Sequence, residues 1–216
     1  MVLNLKYYIL NKYLAALSGL FLILFLTGHL VGNLQLLIPE SQGAQNQFNE
    51  YAHFMQTNPA VKLLSYTTYI FIILHILVTM KLTIDSRRNR LIQYKQVKSP
   101  AHSISSKYMG ILGTTILAFL IIHLSDFWYK AHFQGEEDLY NLVIQKFQNI
   151  NYVIIYLIAM VAIFLHLLHG FYSSFQSLGL LTSNMRKYIK IIGMLYALII
   201  PILFAIIPIW IYLGCN

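Results

Sequence analysis

Four histidines carry the first chemical signal in this sequence. His29, His75, His123 and His166 each fall within a different long stretch that lacks Asp, Glu, Lys and Arg. An ionisable ring in an apolar segment is costly, and by default it marks a functional position. The other four are His53, His102 and His132, expected in solvated loops, and His169, which shares a helical face with His166 at i+3. A neutral imidazole offers one nitrogen lone pair to a metal while its second nitrogen, as N–H, needs an acceptor. Proton relay and interhelical hydrogen bonding are the competing uses of such rings. Zinc fits poorly, because acidic and thiolate co-ligands are missing from these stretches.

The elements that must position the rings are read from the charge-free runs, which cover 13–39, 63–80, 108–125, 147–185 and 191–216. A bilayer core about 30 Å thick takes about 20 helical residues. The fourth run, although 39 residues long, has polar ends and no room for a turn, so it holds one crossing. The first is too long for the apolar part of a signal peptide, about 7–15 residues, and lacks an A-x-A-like site. The expected architecture is therefore all-α and integral to a membrane, one transmembrane domain over 1–216. Its five helices, I to V, lie near 13–38, 61–84, 107–130, 151–177 and 190–213, arranged as an up-down bundle.

Composition agrees. Hydrophobic residues make up 58% of the 216 positions and charged residues 10%, with a mean hydropathy of +0.63. That is too few charges to coat a soluble globule, where about 25% is usual. The single cysteine, Cys215, excludes an internal disulfide and a thiolate cluster, and the absence of CxxCH excludes covalent c-type haem. The net charge of +8 needs no nucleic acid to explain it. Twelve of the fifteen basic residues precede helix I or lie between II and III and between IV and V; Lys62, Lys130 and Lys146 do not. Six of the seven acids fall on the opposite side. The positive-inside bias then puts the N-terminus in the cytoplasm and the C-terminus outside.

With that orientation the histidines sort by depth. For helix centres near residues 26, 72, 119 and 163 and a rise of about 1.5 Å per residue, His29 and His123 lie roughly 5–6 Å toward the outside. His75 and His166 lie roughly 4–5 Å toward the cytoplasm by the same rise. Opposed imidazoles on neighbouring antiparallel helices are what a bis-histidine haem requires, so two pairs imply two b-type haems held between helices I–IV. Small residues near the ligands (Gly28, Gly32, Gly110, Gly113 and Gly170) are expected to make room for a macrocycle. His169 competes with His166 as ligand, or meets a haem propionate instead.

Four segments carry a family resemblance: SGLFLILFLTGHLVGN (18–33), HILVTMKLTIDSRRNR (75–90), SKYMGILGTTILAFLIIHL (106–124) and HLLHGFYSSFQSLG (166–179). They resemble the cytochrome b membrane-anchor subunit of succinate dehydrogenases and fumarate reductases, in its five-helix, two-haem, menaquinone-linked type. The resemblance implies that His29 and His123 bind the outer haem and His75 and His166 the inner one. It also implies a flavoprotein partner with FAD and an iron–sulfur subunit docked on the cytoplasmic face of a bacterial inner membrane. Electrons would pass from the iron–sulfur subunit through both haems to menaquinone, or in reverse for fumarate reduction. The chain itself would do no chemistry on the dicarboxylate.

The same resemblance makes Glu50, 21 residues after His29, the candidate quinone-site carboxylate, with a solvated loop acid as its plain alternative. A glutamate that some relatives carry two residues before the fourth ligand is Phe164 here. Ser18 is a candidate propionate contact, although serine in an apolar helix more often bonds its own i−4 carbonyl. Arg87, Arg88 and Arg90 suit propionates or the iron–sulfur partner, and the positive-inside bias alone also explains them. Two rival functions remain open: a di-haem cytochrome b of a membrane hydrogenase or formate dehydrogenase, and a haem-free transporter or proton relay. A purely structural anchor is the plainest of all.

Overall fold

The computed structural model describes residues 2–88 and 104–215, and every regular element among them is helical. That follows from the apolar runs, since a helix satisfies its backbone polar groups internally where no water can. Helix α1 (Val2–Asn33) tightens into a 3-10 turn, Leu34–Leu37, and stops where Ile38 turns extended ahead of Pro39. Helix α3 (Pro59–Arg88) begins at a proline, and the Asn58 side chain accepts from the amides of Ala60 at 2.9 Å and Val61 at 3.3 Å. Helix α4 (Ile104–His123) runs through a π-turn, Leu124–Trp128, into α5 (Tyr129–Phe133). Helix α7 (Ile150–Ser177) starts from an Asn149 cap and is followed by Gly179 at φ +72°, a left-handed stop that glycine takes without strain. Helix α8 (Met185–Tyr212) continues through Pro201 and Pro208, both buried.

Five helices are long and apolar enough to cross a membrane: Lys6–Leu37, Pro59–Arg88, Tyr108–Phe133, Ile150–Ser177 and Met185–Tyr212. They match the five expected helices, each extended at one or both ends where caps or terminal turns carry it past the charge-free core. Such a set is the construction of a membrane-integral chain. The outward face of α3 shows the reason in miniature. Leu63, Tyr66, Ile70, Ile73, Leu77, Met80 and Ile84 are all exposed, a stripe that suits lipid and not water.

The sequence reading missed two shorter helices. α2 (Ala44–Thr57) and α6 (Leu139–Phe147) lie where only connections were expected. His53 is therefore on α2 and His132 on α5, not in loops, although both are exposed. α2 and α6 pack together. Phe48 of α2 joins Tyr140, Val143, Ile144 and Phe147 of α6 in a buried cluster completed by Leu36 and residues of α7 and α8.

One carboxylate fastens the two. Asp138 caps α6 by accepting from the Asn141 amide at 3.1 Å, and also accepts from Gln45 and Asn49 of α2, each at 2.8 Å. Burial works to raise its pKa, but the bonds from Asn49, Asn141 and Gln45 outweigh burial and hold it below the ordinary 3.8. A carboxyl depressed on folding stabilises the fold above its unfolded pKa and loses that contribution only as pH falls through the lower folded value. The clasp is thus expected to hold equally at pH 7 and pH 5. Asp138→Ala should cost about 1 kcal/mol from the lost cap alone. Amide exchange in α2 and α6 should quicken in the variant at both pH values, while α3 and α7 stay protected.

Candidate functional site

The site grows from the way α1 contacts its neighbours. α1 packs against α3, α7 and α8, and α4 packs against α7. None of the eighteen residues from Tyr108 to Ser125 is buried, although that stretch carries no charge. Its inner face lines a cavity of about 1660 Å³ that α1 borders from Ile9 to Asn33. That is about 36 Å of helix. The volume exceeds the roughly 300–1,000 Å³ of a site for one small ligand.

All four span histidines face this cavity, in two pairs. The rings of His29 and His123 are 5.7 Å apart between centroids and cross at 88°. Those of His75 and His166 are 6.3 Å apart and cross at 75°. His75 meets α1 at Ser18 and Gly19, so the pairs lie about 15 Å apart along α1. His169 lines the same cavity, but the ring opposite His75 is that of His166.

A contact from α1 decides which nitrogen of the His75 ring is free. The Ser18 hydroxyl, fully buried, donates to the Leu14 carbonyl at 2.7 Å and lies 3.1 Å from His75 Nδ1. With its proton spent on the carbonyl, its oxygen accepts from Nδ1–H, which leaves Nε2 with the lone pair. Ser18 thus makes the i−4 bond and orients His75 as well. On the other pair, Tyr156 Oη lies 3.1 Å from His123 Nδ1. Asn33 Nδ2 donates to the His29 carbonyl at 2.8 Å and stands 3.4 Å from its Nδ1. His166 Nδ1 is buried with no partner. α8, the least distinctive stretch in sequence, walls the His29 pair: the Phe204 ring lies 5.7 Å from the His29 ring, tilted by 34°, and Tyr196 ties α8 to α1 by donating to Ile23 O at 2.7 Å.

The glycines divide. A Cβ at Gly113 or Gly170 would meet nothing within 4 Å, and both line the cavity. Gly110 lines it beside Arg87, with a Cβ there 3.1 Å from Nη2. Gly28, next to His29 in sequence, is exposed and not part of the wall. Gly32 serves α2, because a Cβ there would overlap the Tyr51 hydroxyl. The glycine that matters to a ring is Gly19, whose Cβ would sit 3.3 Å from His75 Cε1.

Charged candidates fall on both sides of the wall. Arg87 lines the cavity, Arg88 is exposed, and Arg90 lies with His102 outside the described residues. Glu50 is exposed on α2 and turned away from the cavity, which α2 faces with Phe48, Tyr51 and Gln56. Burial pushes the Tyr51 hydroxyl pKa up, leaving it a neutral donor at pH 7. Compared with protein-family models, curated proteins and solved structures, the chain matches none.

The donor set discriminates among metals. Among the described residues, no third His, Cys, Asp or Glu joins either pair to form a metal-binding group. A zinc or non-haem iron site needs three or more protein ligands. A haem iron brings four nitrogens of its own and asks the protein for two. Metal–imidazole bonds of about 2.0 Å on each side separate two ring centroids by roughly 6 Å, in line with both pairs. Two rings about 6 Å apart in each pair, a glycine-lined space and an unpartnered His166 Nδ1 fit that group.

Proposed function

We propose that the chain is the five-helix, di-haem cytochrome b anchor of a succinate:menaquinone oxidoreductase or fumarate reductase. The helices form an up-down bundle, with His29 and His123 holding an outer b haem and His75 and His166 an inner one. The observation that carries the reading is the meeting of four span histidines, from four helices, as two opposed pairs in one cavity. When bound, the haems supply one-electron carriers in series between the two faces of a bacterial cytoplasmic membrane.

The chain's own residues do the rest. Ser18 and Tyr156 fix ring orientation, and such outer partners are typically worth 10–100-fold in metal affinity. The apolar walls contributed by Phe119, Phe204 and Ile207 keep water from the rings. Arg87 and Lys12 offer cations at one end of the cavity for carboxylates. The basic loops suit an acidic docking surface on an iron–sulfur subunit, itself bound to an FAD flavoprotein. The N-terminus is cytoplasmic on this reading.

The test is a dithionite-reduced minus oxidised spectrum with pyridine haemochrome quantitation on the solubilised protein and its co-purifying subunits. Two b haems per chain are expected. A fully assembled, well-folded preparation with no Soret band would sink the proposal and return the histidines to a relay or to packing.

A further inference from the structure

With histidine neutral, the charges that face the cavity are both positive. Arg87 of α3 and Lys12 of α1 line it, and among the described residues no Asp or Glu does. The chain supplies no acid close by, because none occurs from Ser86 to Ser125. Asp85 is two residues from Arg87, a spacing that sets the two side chains on different faces of the helix. Among the described residues the one ion pair is Lys146 with Asp126, far from this end. Lys12 rests 4.7 Å from the centroid of the Tyr8 ring, a contact that leaves its charge uncancelled. An anion from outside the chain is needed to balance the two.

Depth says where that anion comes from. With helix centres near residues 26 and 72, Lys12 and Arg87 lie about 21 and 22 Å from the midplane. A bilayer about 40–45 Å thick with its headgroups carries its polar layer at that level. Arg87 is also about 18 Å along α3 from His75 by the same rise.

Beneath the cations the surface is apolar. Met80 and Ile84 of α3 and Ile111 of α4 line the cavity and are exposed at the same time. Met80 and Ile84 stand seven and three residues before Arg87, on its own side of the helix. α3 packs on α1 and α2 and α4 packs on α7, so neither helix fills the mouth between them. Gly110 shapes that mouth: a Cβ there would lie 3.1 Å from both Arg87 Nη2 and Thr83 Cγ2, so glycine leaves the guanidinium room against α4. A guanidinium takes phosphate oxygens through parallel N–H groups. A soluble acidic protein could meet the same cation, but it would leave Met80, Ile84 and Ile111 uncovered. An acyl chain covers them.

We infer that the mouth between α3 and α4 is a binding site for an anionic phospholipid. Its phosphate rests on Arg87 and Lys12, and one acyl chain runs along Met80, Ile84 and Ile111. The inference rests on the membrane-integral character of the chain and stands with or without haem.

The test uses the full chain with its co-purifying subunits, in nanodiscs of phosphatidylcholine and phosphatidylglycerol. Native mass spectrometry after detergent release should find phosphatidylglycerol retained on the wild type in preference to phosphatidylcholine. Arg87→Gln should lower that retention about fivefold, the worth of one cation at an anionic headgroup. Gly110→Leu, which displaces the guanidinium, should lower it as well. Arg88→Gln removes the same charge from a side chain that is exposed and does not line the cavity, and its retention should match the wild type. Equal losses in Arg87→Gln and Arg88→Gln would assign the lipid to the basic surface at large and overturn the site. Displacement by inorganic phosphate, and not by chloride of equal ionic strength, would make it a site for a free anion and overturn it too. If Arg87→Gln loses haem or its co-purifying subunits while lipid retention is unchanged, the cation serves those partners; this inference then fails and the proposed function stands. A wild type that retains phosphatidylglycerol and binds no haem would support the site and overturn the proposed function alone.

Discussion

Replacing His29 and His123 together with alanine is expected to halve the haem content, from two per chain to one, and to stop electron delivery to quinone. The paired replacement of His75 and His166 should halve it too, leaving the other haem's spectrum. The expectation follows from geometry. The two pairs are about 15 Å apart along α1, and each ring meets its partner within its own pair. Each pair is oriented by its own neighbours, Ser18 for one and Tyr156 for the other. Removing both rings of a pair avoids leaving one buried imidazole unpaired, which would confuse lost binding with lost folding. Haem per chain by pyridine haemochrome, read beside the melting temperature, decides the matter. A proton relay would show no Soret band in any of these proteins. His169→Ala gives the internal comparison: it should leave both spectra intact, because His166 is the ring that faces His75.

Gly19→Leu should remove one haem selectively. A Cβ at Gly19 already comes within 3.3 Å of His75 Cε1 and 3.6 Å of the Ser174 hydroxyl, and leucine adds three further carbons to that gap. Overpacking of this kind costs about 1–3 kcal/mol. Expressed on His75 alone, that is a loss of about 5- to 150-fold in affinity at the inner pair. The outer pair should keep its full complement. The control is Gly28→Leu, at the residue adjoining His29, where a Cβ meets nothing within 4 Å. Its spectrum should match the wild type. An equal effect of both substitutions would mean that helix propensity, and not crowding of His75, is responsible.

Much of the scaffold could be read without coordinates. Length and charge exclusion are one-dimensional properties, so five spans followed from five runs free of Asp, Glu, Lys and Arg. The depth of a histidine is also one-dimensional, because it depends only on rise per residue from a helix centre. For that reason the sorting into His29 with His123 and His75 with His166 coincides with the rings that meet. α2 and α6 were not legible. Each is short, and each is stabilised by the other through Phe48, Tyr140 and the Asp138 clasp, contacts that join residues about 90 positions apart.

Rotation about a helix axis was equally hidden. It turned Gly28 to the outside, although Gly28 is bonded to His29, and brought Gly19 under His75. It left Glu50 exposed and buried Asp126 within the third span's π-turn, a local widening with no signature in composition. The sequence by itself determined how many helices are long and apolar enough to cross a membrane, where each lies and where along it each histidine falls, because hydropathy and helical rise act along the chain. The tertiary structure decided which nitrogen the His75 ring leaves free, which glycine crowds it and which carboxylate is buried. Those depend on atoms of other helices, such as Ser18 against His75 and Tyr156 against His123, brought within hydrogen-bond distance only when the helices pack.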